Sequence, residues 1–171
     1  YDVVVIGAGG AGLRAAIEAA RSGAKTAIIC KSLLGKAHTV MAEGGAAAAL
    51  GNADDRDGWK VHFKDTMKGG KYLNNWRMAQ IHAQESPDRI RELEQWGAVF
   101  DRTPAGLINQ RNFGGHTYPR LAHVADSTGL EIIRTLQEKG IHSGIDIFME
   151  YTVSQLIQDD DGTCIGCVAY N

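Results

Sequence analysis

The sequence predicts an α/β domain of three layers, with a parallel sheet and an antiparallel β-hairpin added near its C-terminus. Four apolar residues in succession, Val3 to Ile6, indicate a strand buried on both faces, because β-branched side chains suit that environment. A glycine-rich turn and an apolar run at helical spacing follow directly, and Lys25 to Cys30 then predict a second strand. A β-α-β unit of this length makes two parallel strands joined by a right-handed crossover.

Composition narrows the class of protein. The 171 residues are enough for one domain with a hydrophobic core. Lys and Arg number 18 against 20 Asp and Glu, so the near-neutral charge gives no electrostatic case for binding nucleic acid. The chain has no apolar run long enough to span a membrane and no disulfide framework, and we expect a reducing compartment.

The first turn carries a G-x-G-x-x-G motif at Gly7, Gly9 and Gly12, between the first strand and a helix predicted over Ala11 to Arg21. In that context the glycines permit a tight turn, a close approach to a pyrophosphate and close helix packing. The helix N-terminus offers free N–H groups to phosphates. The alternative is a glycine-rich turn of some other α/β protein, which this context disfavours. We therefore predict a Rossmann-like dinucleotide site.

The end of the second strand discriminates between dinucleotides. A nicotinamide site usually has Asp or Glu here to hold the ribose, whereas this chain has Cys30, Lys31 and Ser32. The missing acid argues against a standard NAD site. Lys31 and Ser32 either reach the adenosine side or a phosphate of another dinucleotide, or begin a solvated loop, and spacing leaves both interpretations open.

The remaining elements follow from periodicity and turn residues. The alanine-rich run Ala46 to Ala49 could begin a helix, and Pro87 is expected to restart the second of two later helices. The predicted helices cover Trp59 to Met67, Asn75 to Trp96 and Gly129 to Lys139, the last of which stops at Gly140. The predicted C-terminal strands are Ile145 to Met149, Thr152 to Ile157 and Cys164 to Tyr170, the last two joined by a turn at Asp159 to Gly162.

Several conspicuous residues have a structural interpretation that competes with a functional one. Thr128 and Glu131 fit a helix capping box. Cys164 and Cys167 have redox-motif spacing but point to opposite faces of a strand, so we interpret them as structural and expect no metal site. The tryptophans are expected in the core or shielding a ligand, and they are Trp59, Trp76 and Trp96. In the loop Gln110 to Arg120, a surface loop with solvated charges is slightly favoured over a functional role for Arg111, His116 and Arg120.

Motifs spread along the whole chain resemble one family. They are Gly7 to Gly12; His38-Thr39-Val40 shortly before Ala42-Glu43-Gly44-Gly45; Gln110 to Gly115; and Ala125 to Gly129. In their order and spacing they resemble the flavoprotein subunit of succinate dehydrogenase and fumarate reductase. One departure stands out, since many members have Thr-Arg-Ser where this chain has Gly35-Lys36-Ala37. Either Lys36 supplies the missing charge or the loop differs.

The resemblance implies an FAD-binding domain in which the histidine of the His-Thr pair, His38, is bonded covalently to a methyl group of the flavin. Such a link should raise the flavin's reduction potential, which helps because succinate is a poor hydride donor. The residues expected to bind FAD are Gly7, Ala8, Gly9, Gly10, Ala11, Gly12, Cys30, Lys31, Ser32, Lys36, Ala37, His38, Thr39, Ala42, Glu43, Gly44 and Gly45.

The resemblance also implies partners. In the family, electrons pass between succinate or fumarate, the flavin, an iron–sulfur subunit, and a quinone held by a membrane anchor, in a complex II type assembly. That arrangement places the flavoprotein peripherally on the cytoplasmic face of the inner membrane. We expect residues 1–171 to be the N-terminal portion of an FAD-binding domain, without the substrate-capping and helical domains. No catalytic residue is therefore expected in this portion.

Two alternatives remain. An L-aspartate oxidase or a soluble relative would have the same fold with loosely bound FAD, but such enzymes usually lack a histidine at the position of His38. A non-catalytic FAD-binding module is the second alternative, because the family's substrate-clamping residues are absent from this chain.

Overall fold

The computed structural model describes all 171 residues. The helices are α1 (Gly10–Arg21), α2 (Trp59–Gly69), α3 (Trp76–Gln95) and α4 (Thr128–Ile141). The strands are β1 (Val3–Ile6), β2 (Thr26–Cys30), β3 (Ala46–Ala47), β4 (Gln110–Arg111), β5 (Leu121–Ala122), β6 (Asp146–Met149), β7 (Thr152–Gln158) and β8 (Cys164–Tyr170). The chain divides into two compact units, the first formed by Tyr1–Val40 with Ile132–Asn171 and the second by Met41–Glu131.

The first unit is organised around the predicted parallel sheet, with strand order β1-β2-β6. All five residues of β2 are buried, as expected of the central strand. Helix α1 packs on one face of the sheet through Leu13, Ala16 and Ile17. The antiparallel hairpin β7–β8 lies on the other face, and Gly162 at its turn has a φ of +80°. The three predicted layers are thus present in this unit.

Strand β1 differs from the prediction in its burial. Burial on both faces is expected from its apolar run, but Val4 is 39% and Ile6 52% exposed. These two side chains face a cavity of about 340 Å³, which is also lined by Leu156 and Ile165 of the hairpin. The apolar run of β1 identifies a strand correctly, but its outer face is only partly covered by the elements that this chain supplies.

The second unit has its own apolar core, formed by Ala48, Ile90, Ala98, Phe100, Ile108 and Ala122. A small antiparallel sheet with strand order β3-β5-β4 lies over it. The expectation that Ala46 to Ala49 begins a helix is wrong, because Ala46 pairs with Ala122 and Ala47 with Leu121. The preceding Gly45 has a φ of +117°, so the backbone enters this segment in a conformation that no helix uses.

Helix α3 is continuous through Pro87, so the expectation that the proline restarts it is wrong. The buried residues Ala79, Ala83, Ser86 and Ile90 lie on both sides of the proline, and this continuous buried face keeps the helix in one piece despite the missing N–H. Trp76 is 53% exposed rather than in the core, because it opens the helix one turn before the first buried residue. Trp59 and Trp96 are half-buried.

Helix α4 runs two residues past the expected end at Lys139, so Gly140 lies inside it. The pair expected to form a capping box makes one local and one long-range contact outside the helix. Thr128 Oγ1 accepts a hydrogen bond from the backbone N of Val124 at 3.2 Å, and a Glu131 carboxylate oxygen accepts one from the backbone N of Val99 at 2.8 Å. These contacts connect the start of the helix to the core of the second unit.

Candidate functional site

The glycine loop between β1 and α1 has the geometry of an anion-binding turn. Gly7 has a φ of +110°, which disfavours any side chain. A Cβ on Gly12 would overlap the carbonyl oxygen of Gly7, so only glycine fits there. The first turn of α1 contains no acidic residue, and Gly9 at its N-cap offers no side-chain cap. Among the first N–H groups of α1, those of Ala11 and Gly12 are therefore available to a phosphate.

The His-Thr segment packs directly against this glycine loop. Thr39 Oγ1 accepts a hydrogen bond from the backbone N of Gly10 at 3.1 Å. A Cβ on Gly9 would lie 3.3 Å from the Cβ of Ala37, and one on Gly10 would lie 3.1 Å from Thr39. Four of the residues expected to bind FAD thus come together, although they are nearly thirty positions apart in sequence.

His38 follows Ala37 at the start of a short 3-10 turn, His38–Met41. Its side chain is exposed, as is that of Lys36. The backbone of this segment is fixed, since the N of Val40 donates to the carbonyl of Ala37. The imidazole is therefore held on a fixed backbone beside the glycine loop and is open to a ligand.

The end of β2 adjoins the glycine loop, because the N of Gly7 donates to the carbonyl of Ile29 at 2.7 Å. Cys30 itself is turned inward. It is 6% exposed, its thiol donates to the carbonyl of Ser32 at 3.1 Å, and burial raises its pKa. Of the three residues expected here, Lys31 is exposed and Ser32 half-exposed. These two remain available to a ligand, whereas the Cys30 side chain does not.

In the second unit, the segment Ala42 to Gly45 is held by β4 and the loop that follows it. Arg111 donates to the carbonyls of Gly44 at 2.8 Å and Glu43 at 2.6 Å. The ring of Phe113 lies 3.5 Å from the Cβ position of Gly44. Gly45 has no room for a side chain, because its Cβ would lie 2.9 Å from Leu121 and from the carbonyl of Ala122. The two hydrogen bonds from Arg111 therefore form a clamp, in the sense that they fix the backbone of Glu43 and Gly44.

Arg120 is not the solvated surface charge that its loop position favours. Its side chain is fully buried and donates to both carboxylate oxygens of Asp57, at 2.8 and 3.1 Å. It also contacts Asp65 at 2.9 Å. Burial raises the pKa of Asp57 in spite of this positive charge. Burial also acts to raise the pKa of Asp65, but hydrogen bonds from Thr117 and the charge of Arg120 outweigh it, and the pKa is lowered.

Histidines adjoin this ion cluster. His62 is 3% exposed, and burial, followed by the charge of Arg120, lowers its pKa to about 4. The His62 and His116 rings lie 6.3 Å apart, and the pKa of His116 is also lowered by burial. The sequence motifs do not identify Asp57, His62 or Asp65. The three-residue spacing of His62 and Asp65, which places them on one face of α2, is the signal that the sequence offers.

Cys164 and Cys167 are free thiols on β8, the first exposed and the second half-buried, in agreement with opposite faces of a strand. No helix is both long enough and apolar enough to cross a bilayer.

Comparisons with known proteins give a consistent result. Residues 2–171 match a model of an FAD-binding domain family. The chain is 44% identical over 168 residues to one of the subunits of the fumarate reductase (CoM/CoB) from Methanothermobacter marburgensis, covering 98% of this chain and 30% of that protein. It is 42% identical over 179 residues to the mitochondrial succinate dehydrogenase [ubiquinone] flavoprotein subunit of Oryza sativa, covering 100% of this chain and 28% of that one.

Solved structures agree with the sequence comparisons. Sdh1 of Mycobacterium smegmatis in complex with UQ1 superposes with a TM-score of 0.96 at 61% identity, over 99% of this chain and 30% of that chain. The chain thus spans about a third of the length of the relatives that it matches.

Proposed function

This chain belongs to the FAD-binding domain family, as the FAD-binding part of a succinate dehydrogenase or fumarate reductase flavoprotein, and from that premise we propose its specific activity. We propose that the natural protein interconverts succinate and fumarate, with FAD attached covalently to His38. The observation that carries the proposal is the contact between the glycine loop and the His-Thr segment, through Gly10 and Thr39.

The residues of the first unit fit an FAD pyrophosphate. The N–H groups of Ala11 and Gly12 in the first turn of α1 provide donors, and the glycines let the phosphates approach the backbone. Thr39 fixes the position of Gly10, while Lys36 offers a positive charge from an exposed position on the neighbouring loop. Bound FAD supplies two-electron redox chemistry that no side chain provides.

His38 is the residue that we propose for the covalent link. Its imidazole is exposed on a fixed backbone next to the dinucleotide loop, which is the arrangement that a nucleophile for the flavin methyl group needs. In the second unit, Arg111 and Phe113 hold Glu43 and Gly44 in place, and we propose that this segment also contacts the cofactor.

The proposal extends to partners by analogy with the relatives. Electrons would pass to an iron–sulfur subunit, then to a quinone bound by membrane anchor subunits, and the flavoprotein would lie peripherally on the cytoplasmic face of the membrane through those partners. The names of the rice relative and of the mycobacterial structure mention ubiquinone and UQ1, which supports quinone as the final acceptor. We propose that residues outside this chain bind the dicarboxylate.

An L-aspartate oxidase-like flavoenzyme with non-covalent FAD is the alternative enzyme, and a non-catalytic FAD-binding module is the alternative outside enzymology. His38 argues against the first. The high identity of the whole chain to succinate dehydrogenase and fumarate reductase flavoproteins argues against the second.

The test is flavin fluorescence of the full-length protein on an acid-soaked denaturing gel, with His38→Ser as the variant. We expect a fluorescent band from the wild type and a dark band from the variant, because only a covalent flavin survives denaturation. His142→Ser is the matched control, since His142 is an exposed histidine at the end of α4, and it should keep its fluorescence.

A dark band from a yellow wild-type protein would overturn the covalent link and favour the aspartate-oxidase alternative. If His38 carries the flavin, the His38→Ser protein should also lose succinate oxidation more than fumarate reduction. The flavin is a two-electron couple, so each fall of about 30 mV in the reduction potential of the flavin makes its reduction by succinate about tenfold less favourable at equilibrium.

A further inference from the structure

The second unit contains a polar cavity that the proposed flavin site does not use. It has a volume of about 170 Å³ and is lined by residues of α2 and of the loop that precedes β5, among them His62, Asp65, His116 and Arg120. A neighbouring cavity of about 360 Å³ shares Asp65, Gly69, Gly115 and His116 with it, so the two adjoin each other. Pockets that bind drug-sized ligands have volumes of about 300–1,000 Å³, so the inner cavity suits a smaller molecule.

Three buried polar atoms at this cavity have no hydrogen-bond partner within the protein: Arg120 Nη1, His62 Nδ1 and His116 Nδ1. Arg120 uses Nε and Nη2 on Asp57 and Asp65, which leaves both N–H groups of Nη1 without an acceptor. A buried charged donor without an acceptor costs more than a neutral one. The side chain is fully buried, so bulk water does not supply that acceptor.

The buried cluster of Arg120, Asp57 and Asp65 carries a formal charge of −1, and the exposed Lys68 and Lys71 of the outer cavity bring the formal charge around the two cavities together to +1. Asp57 and Asp65 are the carboxylates in contact with Arg120, and their oxygens are already used by Arg120 and Thr117. Lys68 and Lys71 line the outer cavity. This total counts the cations Arg120, Lys68 and Lys71 and the carboxylates Asp57 and Asp65. The two histidines add no charge, because the lowered pKa values of His62 and His116 keep their rings neutral at pH 7.

We propose that this cavity is a binding site for a small oxyanion, either a short carboxylate or an inorganic tetrahedral anion. The anion accepts hydrogen bonds from Arg120 Nη1 and from the N–H forms of His62 Nδ1 and His116 Nδ1. The residues of this site do not include any residue of the proposed dinucleotide loop, and the site does not depend on the proposed function. Its size limits the ligand to a few heavy atoms, since each water in a liquid occupies about 30 Å³.

The first test is crystallography of the full-length protein soaked with sodium selenate or sodium formate. We expect selenium anomalous density within hydrogen-bond distance of Arg120 Nη1 if the site takes tetrahedral anions. Planar formate density at the same place, with no selenium, would assign it to carboxylates. Identical density in soaked and unsoaked crystals, consistent with water alone, would overturn the proposal.

The second test measures selenate and formate affinity by calorimetry. His116→Phe removes the ring nitrogens and should weaken binding at least about tenfold, the loss expected for one hydrogen bond to a charged ligand. His116→Asn places an amide near the Nδ1 position and should restore affinity to within about threefold of the wild type, because one donor is regained. Equal affinities in the wild type and in His116→Phe would contradict the assignment.

Blocking the cavity gives an independent check. Gly69 lines both cavities, and a Cβ there would meet no heavy atom within 4 Å. Gly69→Leu should therefore fold and abolish binding. Gly58→Ala is the control, because Gly58 is the N-cap residue of the same helix, also has open space at its Cβ and does not line the cavity. Unchanged binding in Gly69→Leu would count against the site.

Discussion

Gly12 is the residue at which backbone geometry constrains this chain most directly. Its Cβ position coincides with the carbonyl oxygen of Gly7, which itself has a φ of +110°. The sequence motif alone predicts close packing of helix on strand at this position. The structure adds that the obstacle is backbone, which cannot rotate away as a side chain could.

Replacing Gly12 with alanine should therefore displace the glycine loop. We expect Gly12→Ala to lose FAD and to lower the free energy of unfolding by at least about 3 kcal/mol, the upper end of ordinary overpacking. Flavin content of the purified full-length protein and its denaturant midpoint measure both effects. Gly140→Ala adds the same methyl group inside α4, 3.6 Å from Leu13, and should be tolerated. A Gly12→Ala protein with full flavin content would contradict this account.

The cluster of Arg120, Asp57 and Asp65 shows how far burial changes the role of a charge. On the surface an ion pair contributes little, whereas removing one partner of a buried pair costs about 3–5 kcal/mol, because a carboxylate is left uncompensated. Arg120 directly precedes β5, and its ion pair with Asp65 therefore connects that strand to α2.

His62 predicts a pH dependence of stability. Burial keeps its pKa at about 4 in the folded protein, whereas the unfolded chain binds the proton near 6.5. Protons therefore favour the unfolded state, and the stability contribution, complete above pH 6.5, is lost as the pH falls towards 4. We expect His62 to account for about 2 kcal/mol of lost stability between pH 7 and pH 5, measured by denaturant unfolding of the full-length protein.

The matched comparison is between His62→Gln and His142→Gln. The first variant should show a shallower loss of stability over this pH range than the wild type. The second should follow the wild type, because His142 is exposed. Equal slopes in His62→Gln and the wild type would show that His62 does not titrate in this way.

At the scale of elements, α3 shows packing overriding local sequence. Its proline lacks an N–H and would be expected to interrupt the helix, yet the helix spans 20 residues. Its first turn is stabilised by Asn75, whose Oδ1 accepts hydrogen bonds from the backbone N of Arg77 at 3.0 Å and of Met78 at 3.2 Å. A strong cap at one end and a continuous buried face together hold the helix.

Removing this cap should have a modest effect. We expect Asn75→Ala to lower the free energy of unfolding by about 1 kcal/mol, because two backbone donors lose their acceptor. Asn75→Asp keeps an acceptor at the same place and should be close to the wild type. Denaturant titration of the full-length protein distinguishes them, and a loss of stability equal in both variants would argue against a capping role.

At the scale of the whole molecule, the chain spans about a third of the length of its relatives. Its residues supply a glycine loop, a histidine proposed for the flavin and the clamp of Arg111 on Glu43 and Gly44. The substrate-clamping histidine and arginine motifs expected of the family are absent from the 171 residues.

The 171-residue chain alone should therefore not catalyse dicarboxylate chemistry. We expect no fumarate reduction above background with a reduced dye as electron donor, because nothing in the chain is assigned to hold the dicarboxylate. The full-length protein under the same conditions is the control. Fumarate-dependent dye oxidation by the purified chain would overturn this prediction.

The sequence by itself determined the parallel sheet, the glycine loop between β1 and α1, the C-terminal hairpin and the family. These features depend on local patterns, such as the apolar run before Gly7 and the G-x-G-x-x-G spacing, whose physical causes lie within a few residues. That Lys36 to Thr39 lie beside a bound dinucleotide stays a prediction from the resemblance, and the bond between Gly10 and Thr39 shows that this segment lies beside the glycine loop.

Only the tertiary structure decided burial and long-range partners. Ala46 and Ala47 form a strand because Ala122 and Leu121 lie beside them, and β1 is half-exposed because its outer face meets a cavity. Arg120 is buried because Asp57 and Asp65, 63 and 55 residues away in sequence, converge on it. Such contacts depend on residues distant in the chain, and no local pattern encodes which of them will meet.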